Sequence, residues 1–177
     1  MPVLTAARPA PADAAAAAAR TGTDTDVAAR ALTVARRTAL GVLGDREAAA
    51  DVAQEVALQV VMRRDALRDP AALDAWVHRI AVRAALREAG KMRRRRAAEE
   101  ARVAQQGAGP ADELDETLAL LAGLPPRQRA ALTLRYVHDL PDAEIARALR
   151  CRPGTVRSLL SRGREALRAA RSDEVSS

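Results

Sequence analysis

The chain has 177 residues and a formal charge of +6, enough for one domain or two small ones. Apolar residues make up 49%, much of it alanine, and Phe is absent beside one Trp and one Tyr. A core must then come from Leu, Val, Ile and Ala, a composition that favours helices over strands. Cys151 is the one cysteine, which excludes an internal disulfide and a cysteine-rich zinc site, and no run approaches the roughly 18 apolar residues of a membrane span.

Residues 1–25 are mostly Ala, Pro, Thr and Asp and read as a disordered tail that forms an alanine helix only transiently. The alanine run 14–19 is too short and weakly hydrophobic for a signal-peptide core. Arg36-Arg37 sits inside an amphipathic pattern, not ahead of an apolar run, which argues against twin-arginine export. The expected location is the cytoplasm.

Helical periodicity begins near Asp26, with Leu32, Ala35, Ala39 and Leu43 on one stripe. Gly44-Asp45 breaks it. A second helix is expected over 46–63, its apolar face built from Val52, Val56 and Val60. Asp51, Gln54 and Glu55, at i, i+3 and i+4, share a different, polar face. Residues 64–70 read as a loop. Asp74 marks an N-cap region for a third helix, with Trp76, Ile80 and Ala84 on one side. Arg79, Arg83 and Arg87 form another side, extended by Lys91 and Arg94, and Gly90 is a weak point before the basic cluster 91–96.

Charge divides the chain. Residues 74–96 carry eight cations against two anions, and residues 140–171 eight against three, whereas residues 97–120 carry one cation against six anions. Two basic blocks around an acidic spacer suggest two separate nucleic-acid surfaces. Residues 97–112 read as a linker. A second domain is expected over 113–171, opened by Leu114, Leu118 and Leu121 at helical spacing, restarted at Pro125-Pro126, and followed by a tail over 172–177.

In this second domain Ile145, Ala146 and Leu149 give a short apolar helix face. Cys151-Arg152-Pro153-Gly154 makes a turn, with Cys151 as a small buried residue. Thr155 opens a further helix whose inner side is Val156, Leu159, Leu160, Ala166 and Leu167. Thr155, Arg157, Ser158, Ser161, Arg162 and Arg164 are left near its start and outer face. A helix, a turn and a second helix with a cationic outer face suits insertion into a DNA major groove. The fold class expected is all-α, two small helical domains joined by a flexible acidic linker.

Three motifs in order carry a family resemblance: the A-x-D-x-x-Q-E-V pattern ending at Gln54-Glu55-Val56, the Ala75-Trp76-Val77-His78-Arg79-Ile80-Ala81 segment with its basic cluster, and Leu124-Pro125 through Gly154-Thr155-Val156-Arg157-Ser158. Together they resemble the sigma-70 family of bacterial RNA polymerase sigma factors, in the two-domain form of the extracytoplasmic-function subfamily. The resemblance implies a non-enzymatic specificity subunit without cofactor or metal. Sigma domain two would span 26–96, with Asp51, Gln54 and Glu55 on the clamp of the polymerase core's largest catalytic subunit. Arg79, Arg83, Arg87, Lys91 and Arg94, with the preceding loop, would serve the −10 element. Sigma domain four would span 113–171, meet the flap of the second-largest subunit, and read the −35 element through Thr155, Arg157, Ser158, Ser161, Arg162 and Arg164. An anti-sigma protein is a further implied partner; membrane insertion is not. The chain departs from the family pattern at Ala57, Arg83, Pro141, Arg150 and Leu159, where Phe, Asn, Ser or Thr, Gly and Arg are customary.

Two other readings compete. A stand-alone helix-turn-helix regulator would need no Asp-x-x-Gln-Glu face and no arginine stripe. An enzyme finds little support: His78 and His138 are far apart in sequence and read as helix-surface or turn residues, Cys151 has no evident base, and no glycine loop cradles phosphate.

Overall fold

The computed structural model describes residues 11–67, 69–103, 121 and 123–175, and every regular element among them is helical. Helix α1 (Pro11–Leu43) begins well inside the stretch read as a disordered tail. Alanine is the best helix former and proline is tolerated in a first turn, so the 14–19 run extends the helix. Residues 1–10 lie outside the described part. Ala31, Ala35, Ala39 and Val42 are fully buried, whereas Leu32 is 39% exposed. The buried stripe therefore keeps Ala35, Ala39 and Leu43 as read and takes Ala31 in place of Leu32, with alanine preferred where helices approach closely.

Gly44 ends α1 with φ 70°, a left-handed stop that glycine adopts without a Cβ penalty. Asp45 then caps α2 (Arg46–Met62), accepting the Ala48 N–H at 2.8 Å. Val52, Ala53, Val56, Ala57 and Val60 are buried, so Ala57 is a core position filled by a small residue. Two 3-10 turns, Arg64–Ala66 and Pro70–Ala72, make the connection that the sequence gives as a loop. An Arg64–Asp24 ion pair ties the first turn to α1.

Helix α3 (Leu73–Val103) is 31 residues long. Asp74 lies in its first turn, not at its cap, and binds Arg30 of α1 through two 2.7 Å bonds. The helix passes Gly90 unbroken. One glycine costs about 1 kcal/mol against alanine, less than the surrounding Ala, Arg, Glu and Leu supply together. The helix also runs through the basic cluster into the stretch expected to be linker, as far as Val103; residues 104–112 lie outside the described part, as does most of 113–121.

The second bundle comprises α4 (Pro126–Tyr136), α5 (Asp142–Leu149) and α6 (Pro153–Val175). Leu134, Ile145 and Val156 are fully buried at its centre, with Leu132, Leu149, Leu159 and Leu160 around them. Ala166, assigned to the inner side from periodicity, is exposed. Gly163 lets α6 lie close on α4: a Cβ there would stand 2.9 Å from Cδ1 of Leu132.

The two bundles pack on each other. Helix α1 contacts α4, α3 contacts α4 and α5, and the buried residues of both form one contiguous cluster. Gly41 of α1 abuts Thr133 of α4.

Candidate nucleic-acid interface

The helix-turn-helix pattern centres on the turn between α5 and α6. Arg150 follows α5 in the left-handed conformation, φ 51° and ψ 55°, which explains why glycine is customary there. The Cys151 N–H returns to the Ala146 carbonyl at 3.0 Å, and Arg127 donates to the Leu149 carbonyl at 3.1 Å. The Ala146 and Leu149 carbonyls at the end of α5 are thereby satisfied. At the other end Pro141 offers no side-chain cap, but its carbonyl accepts the Glu144 and Ile145 N–H groups, and an Arg135–Asp142 pair braces the first turn. Cys151 is half-buried against the core.

Thr155, Arg157, Ser158, Arg162 and Arg164 are exposed on α6, and Ser161 is half-buried. They form one outward surface, as the spacing requires. Within it Ser158 donates to the Gly154 carbonyl at 3.1 Å, Arg162 to the Ser158 carbonyl at 3.3 Å, and Ser161 to Glu165 at 2.8 Å. Leu159 is 8% exposed and faces the core. This departure from the family pattern thus lies off the outward surface. Sequence reading missed the other cations at this end. Arg147, Arg150 and Arg152 line a shallow groove with Ala146, Cys151 and Pro153, a surface suited to phosphate.

On α2, Asp51, Gln54 and Glu55 are all exposed, and Gln59 donates to Glu55 at 2.9 Å. The same side continues into Leu58, 65% exposed, and Met62, 83% exposed. Both were absent from the sequence reading, though they fall off the Val52–Val56–Val60 stripe at helical spacing. A polar patch running into bare Leu and Met side chains has a composition suited to protein docking.

The arginine stripe of α3 divides. Arg87, Lys91 and Arg94 are exposed, and Lys91 pairs with Glu88 at 2.8 Å. Arg79 lines a small cavity between the bundles with His78, Glu144 and Arg147. Arg83 is half-buried and turned toward the second bundle. Its Nε donates to the Ala148 carbonyl at 3.1 Å and its Nη2 to the Arg147 carbonyl at 3.0 Å. Burial and the nearby Arg150 and Arg79 push its pKa down, although arginine stays cationic at any ordinary pH.

Of the two histidines, His138 lies in the turn after α4 and is half-buried, as read, whereas His78 is not a helix-surface residue. His78 is 6% exposed, and its ring lies 4.3 Å from that of His138, centroid to centroid. The His138 Nε2 is 2.9 Å from Oγ1 of Thr38. That hydroxyl lies 2.9 Å from the Val34 carbonyl, to which it can only donate, so its single proton is used and the imidazole must be the donor. Neither ring nitrogen of His78 has a hydrogen-bond partner among the described residues. Burial, then the neighbouring His78 and Arg37, push the His138 pKa down to about 4. Burial lowers that of His78 against the opposing pull of Asp74 and Glu144. No cluster of three or more metal-ligating side chains occurs among the described residues.

Comparison with known proteins matches both halves to one family. Residues 27–97 match Sigma-70 region 2 and residues 114–167 match Sigma-70, region 4. The chain is 32% identical over 140 residues to the RNA polymerase sigma-H factor of Pseudomonas aeruginosa, covering 70% of this chain and 72% of that protein. It is also similar in fold to the sigma factor RpoE solved with the anti-sigma factor NepR from Bartonella quintana. That likeness has a TM-score of 0.59 and 22% identity, over 78% of this chain and 90% of that one.

Proposed function

The chain belongs to the sigma-70 family, in its extracytoplasmic-function form, and directs RNA polymerase core to promoters; we propose the residue-level division of labour by which it does so. Such factors are regulators without catalysis of their own, and no helix among the described residues is long and apolar enough to cross a membrane. In our reading the protein works in the cytoplasm.

Asp51, Gln54 and Glu55 dock on the clamp of the polymerase, with Leu58 and Met62 supplying the apolar part of the contact. Gln54 is exposed and has no structural task within α2, which supports docking. Arg79, Arg83, Arg87, Lys91 and Arg94 face the −10 element, where guanidinium groups bind phosphate and hold the opened strand. Trp76 is half-buried and packs on the core, so stacking on an aromatic wedge is not part of this scheme. Thr155, Arg157, Ser158, Ser161 and Arg162 read base edges at −35, and Arg164 sits on the backbone. An anti-sigma protein, of the kind seen with the RpoE relative, is a further partner in this reading.

The observation that carries the scheme is the presence of two exposed surfaces of different chemistry. The α2 surface is acidic to apolar, and the α6 surface is cationic. A regulator acting alone would need only the second. Transcription reconstituted with core polymerase tests this. Gln54→Ala with Glu55→Ala should weaken core binding at least tenfold while duplex −35 binding stays unchanged. Equal core affinity in the double variant would refute the docking assignment.

A further inference from the structure

Helix α5 ends with its customary charge reversed. The last four carbonyls of a helix have no partner within it and leave about half an elementary negative charge at that end. In α5 each of the four is covered. The Cys151 N–H donates to the Ala146 carbonyl at 3.0 Å. Arg83 donates to the Arg147 carbonyl at 3.0 Å and to that of Ala148 at 3.1 Å, and Arg127 donates to that of Leu149 at 3.1 Å. Three more arginines, Arg147, Arg150 and Arg152, stand exposed around the same end. Five guanidinium charges thus meet about half a charge of opposite sign. None of the five pairs with a carboxylate among the described residues. We propose that the end of α5 is a binding site for a chain of phosphates, gripped by Arg147, Arg150 and Arg152, with Arg83 and Arg127 making a helix C-terminus receptive to an anion.

The groove has matching chemistry. Between the three exposed arginines its lining is Ala143, Ala146, Cys151 and Pro153, with no acid among them. Guanidinium groups grip phosphate oxygens in pairs, and an apolar floor offers no competing acceptor. Burial first, and then the charge of Arg150, lower the Arg83 pKa, a repulsion that a bound phosphate would relieve. Arg150 holds a left-handed conformation, φ 51°, which glycine adopts without a Cβ penalty. The arginine bears that penalty and sets a charge on the groove. Arg83 and Arg150 stand where the family customarily has Asn and Gly, so the site belongs to this chain and not to the helix-turn-helix in general.

Three free cations exceed the charge of one phosphate group, about −2 near pH 7, so the fitting ligand carries at least two. Two sources share that chemistry: a free oligophosphate, and the sugar-phosphate backbone of a duplex lying along α6. The site itself rests on neither the −10 nor the −35 assignment.

Inorganic triphosphate is the probe, titrated into the full chain at low ionic strength without magnesium and followed by calorimetry. One molecule should bind per chain. Arg83→Asn combined with Arg150→Gly should weaken binding at least about tenfold. Arg152→Gln, a change at an exposed side chain, should weaken it about fivefold without disturbing the fold. Arg36→Gln and Arg93→Gln, at exposed cations elsewhere, should leave it unchanged. Thermal melting by circular dichroism checks that each variant is folded. No saturable binding to the parent, or a loss in Arg93→Gln equal to that in Arg152→Gln, overturns the site. Competition then separates the sources. Where triphosphate displaces a −35 duplex and Arg152→Gln weakens both, the source is the duplex backbone. Where the two bind together, or the variant weakens triphosphate alone, it is a free oligophosphate. The titration uses neither polymerase nor promoter, so its failure and that of the sigma-factor reading are separate results.

Discussion

Gly163→Ala tests how α6 is seated. The new methyl would lie 2.9 Å from Cδ1 and 3.3 Å from Cγ of Leu132, whereas carbon atoms rest about 3.5–4.0 Å apart. Leu132 is 4% exposed, so it must retreat into packed neighbours, and such overpacking costs about 1–3 kcal/mol. Replacing a helical glycine returns about 1 kcal/mol, leaving a net loss of about 0–2 kcal/mol. Gly90→Ala on α3 is the control. Its methyl would meet Nη1 of Arg94 at 3.7 Å and no other atom within 4 Å, so the propensity gain of about 1 kcal/mol should survive. Urea unfolding followed by circular dichroism should rank Gly90→Ala above the parent and Gly163→Ala below it. In a Leu132→Ala background, itself about 2–5 kcal/mol less stable, Gly163→Ala should reverse sign and stabilise. If Gly163→Ala stabilises the parent as much as Gly90→Ala does, the close seating of α6 on α4 is wrong.

Two further outcomes concern the proposed −35 surface. Arg162→Ala should lower discrimination between cognate and altered −35 duplexes by about 1–3 kcal/mol in competition binding; a uniform loss across sequences would make Arg162 a phosphate contact. Arg150→Gly should raise stability by about 1 kcal/mol in urea unfolding, because it removes a left-handed non-glycine residue, while weakening duplex binding through the lost charge; unchanged stability would show that Arg150 is not strained.

What the sequence made legible was local. Gly44 and Asp45 act through their own backbone and one neighbouring N–H, so the α1–α2 break was readable. The outward surface of α6 follows from helical spacing alone, and so does the polar face of α2. The reach of α3 was not, because a glycine and a run of cations resemble a boundary although neither outweighs the surrounding helix formers. At the N-terminal tail low complexity suggested disorder with only a transient alanine helix, whereas α1 reaches back to Pro11 because alanine favours helix. Tertiary pairings were hidden altogether. Thr38 and His138 are 100 positions apart, and Arg83 meets carbonyls 64 and 65 positions onward. No periodicity reports on a contact to a backbone oxygen, so Arg83 could be marked as unusual without its partner being visible.

The unbroken course of α3 makes it a gauge. At 1.5 Å per residue, Arg79 and Arg94 stand about 22 Å apart on one rod, close to the length of six or seven nucleotides of a duplex strand at about 3.4 Å each. Cations at its two ends cannot adjust their separation independently, as they would on a hinged segment. A single residue inserted after Gly90 would turn Arg94 by about 100° and carry it off the side that Arg79 and Arg87 occupy. The glycine that looks like a point of weakness therefore sits where continuity of the rod keeps the cations at its two ends in phase.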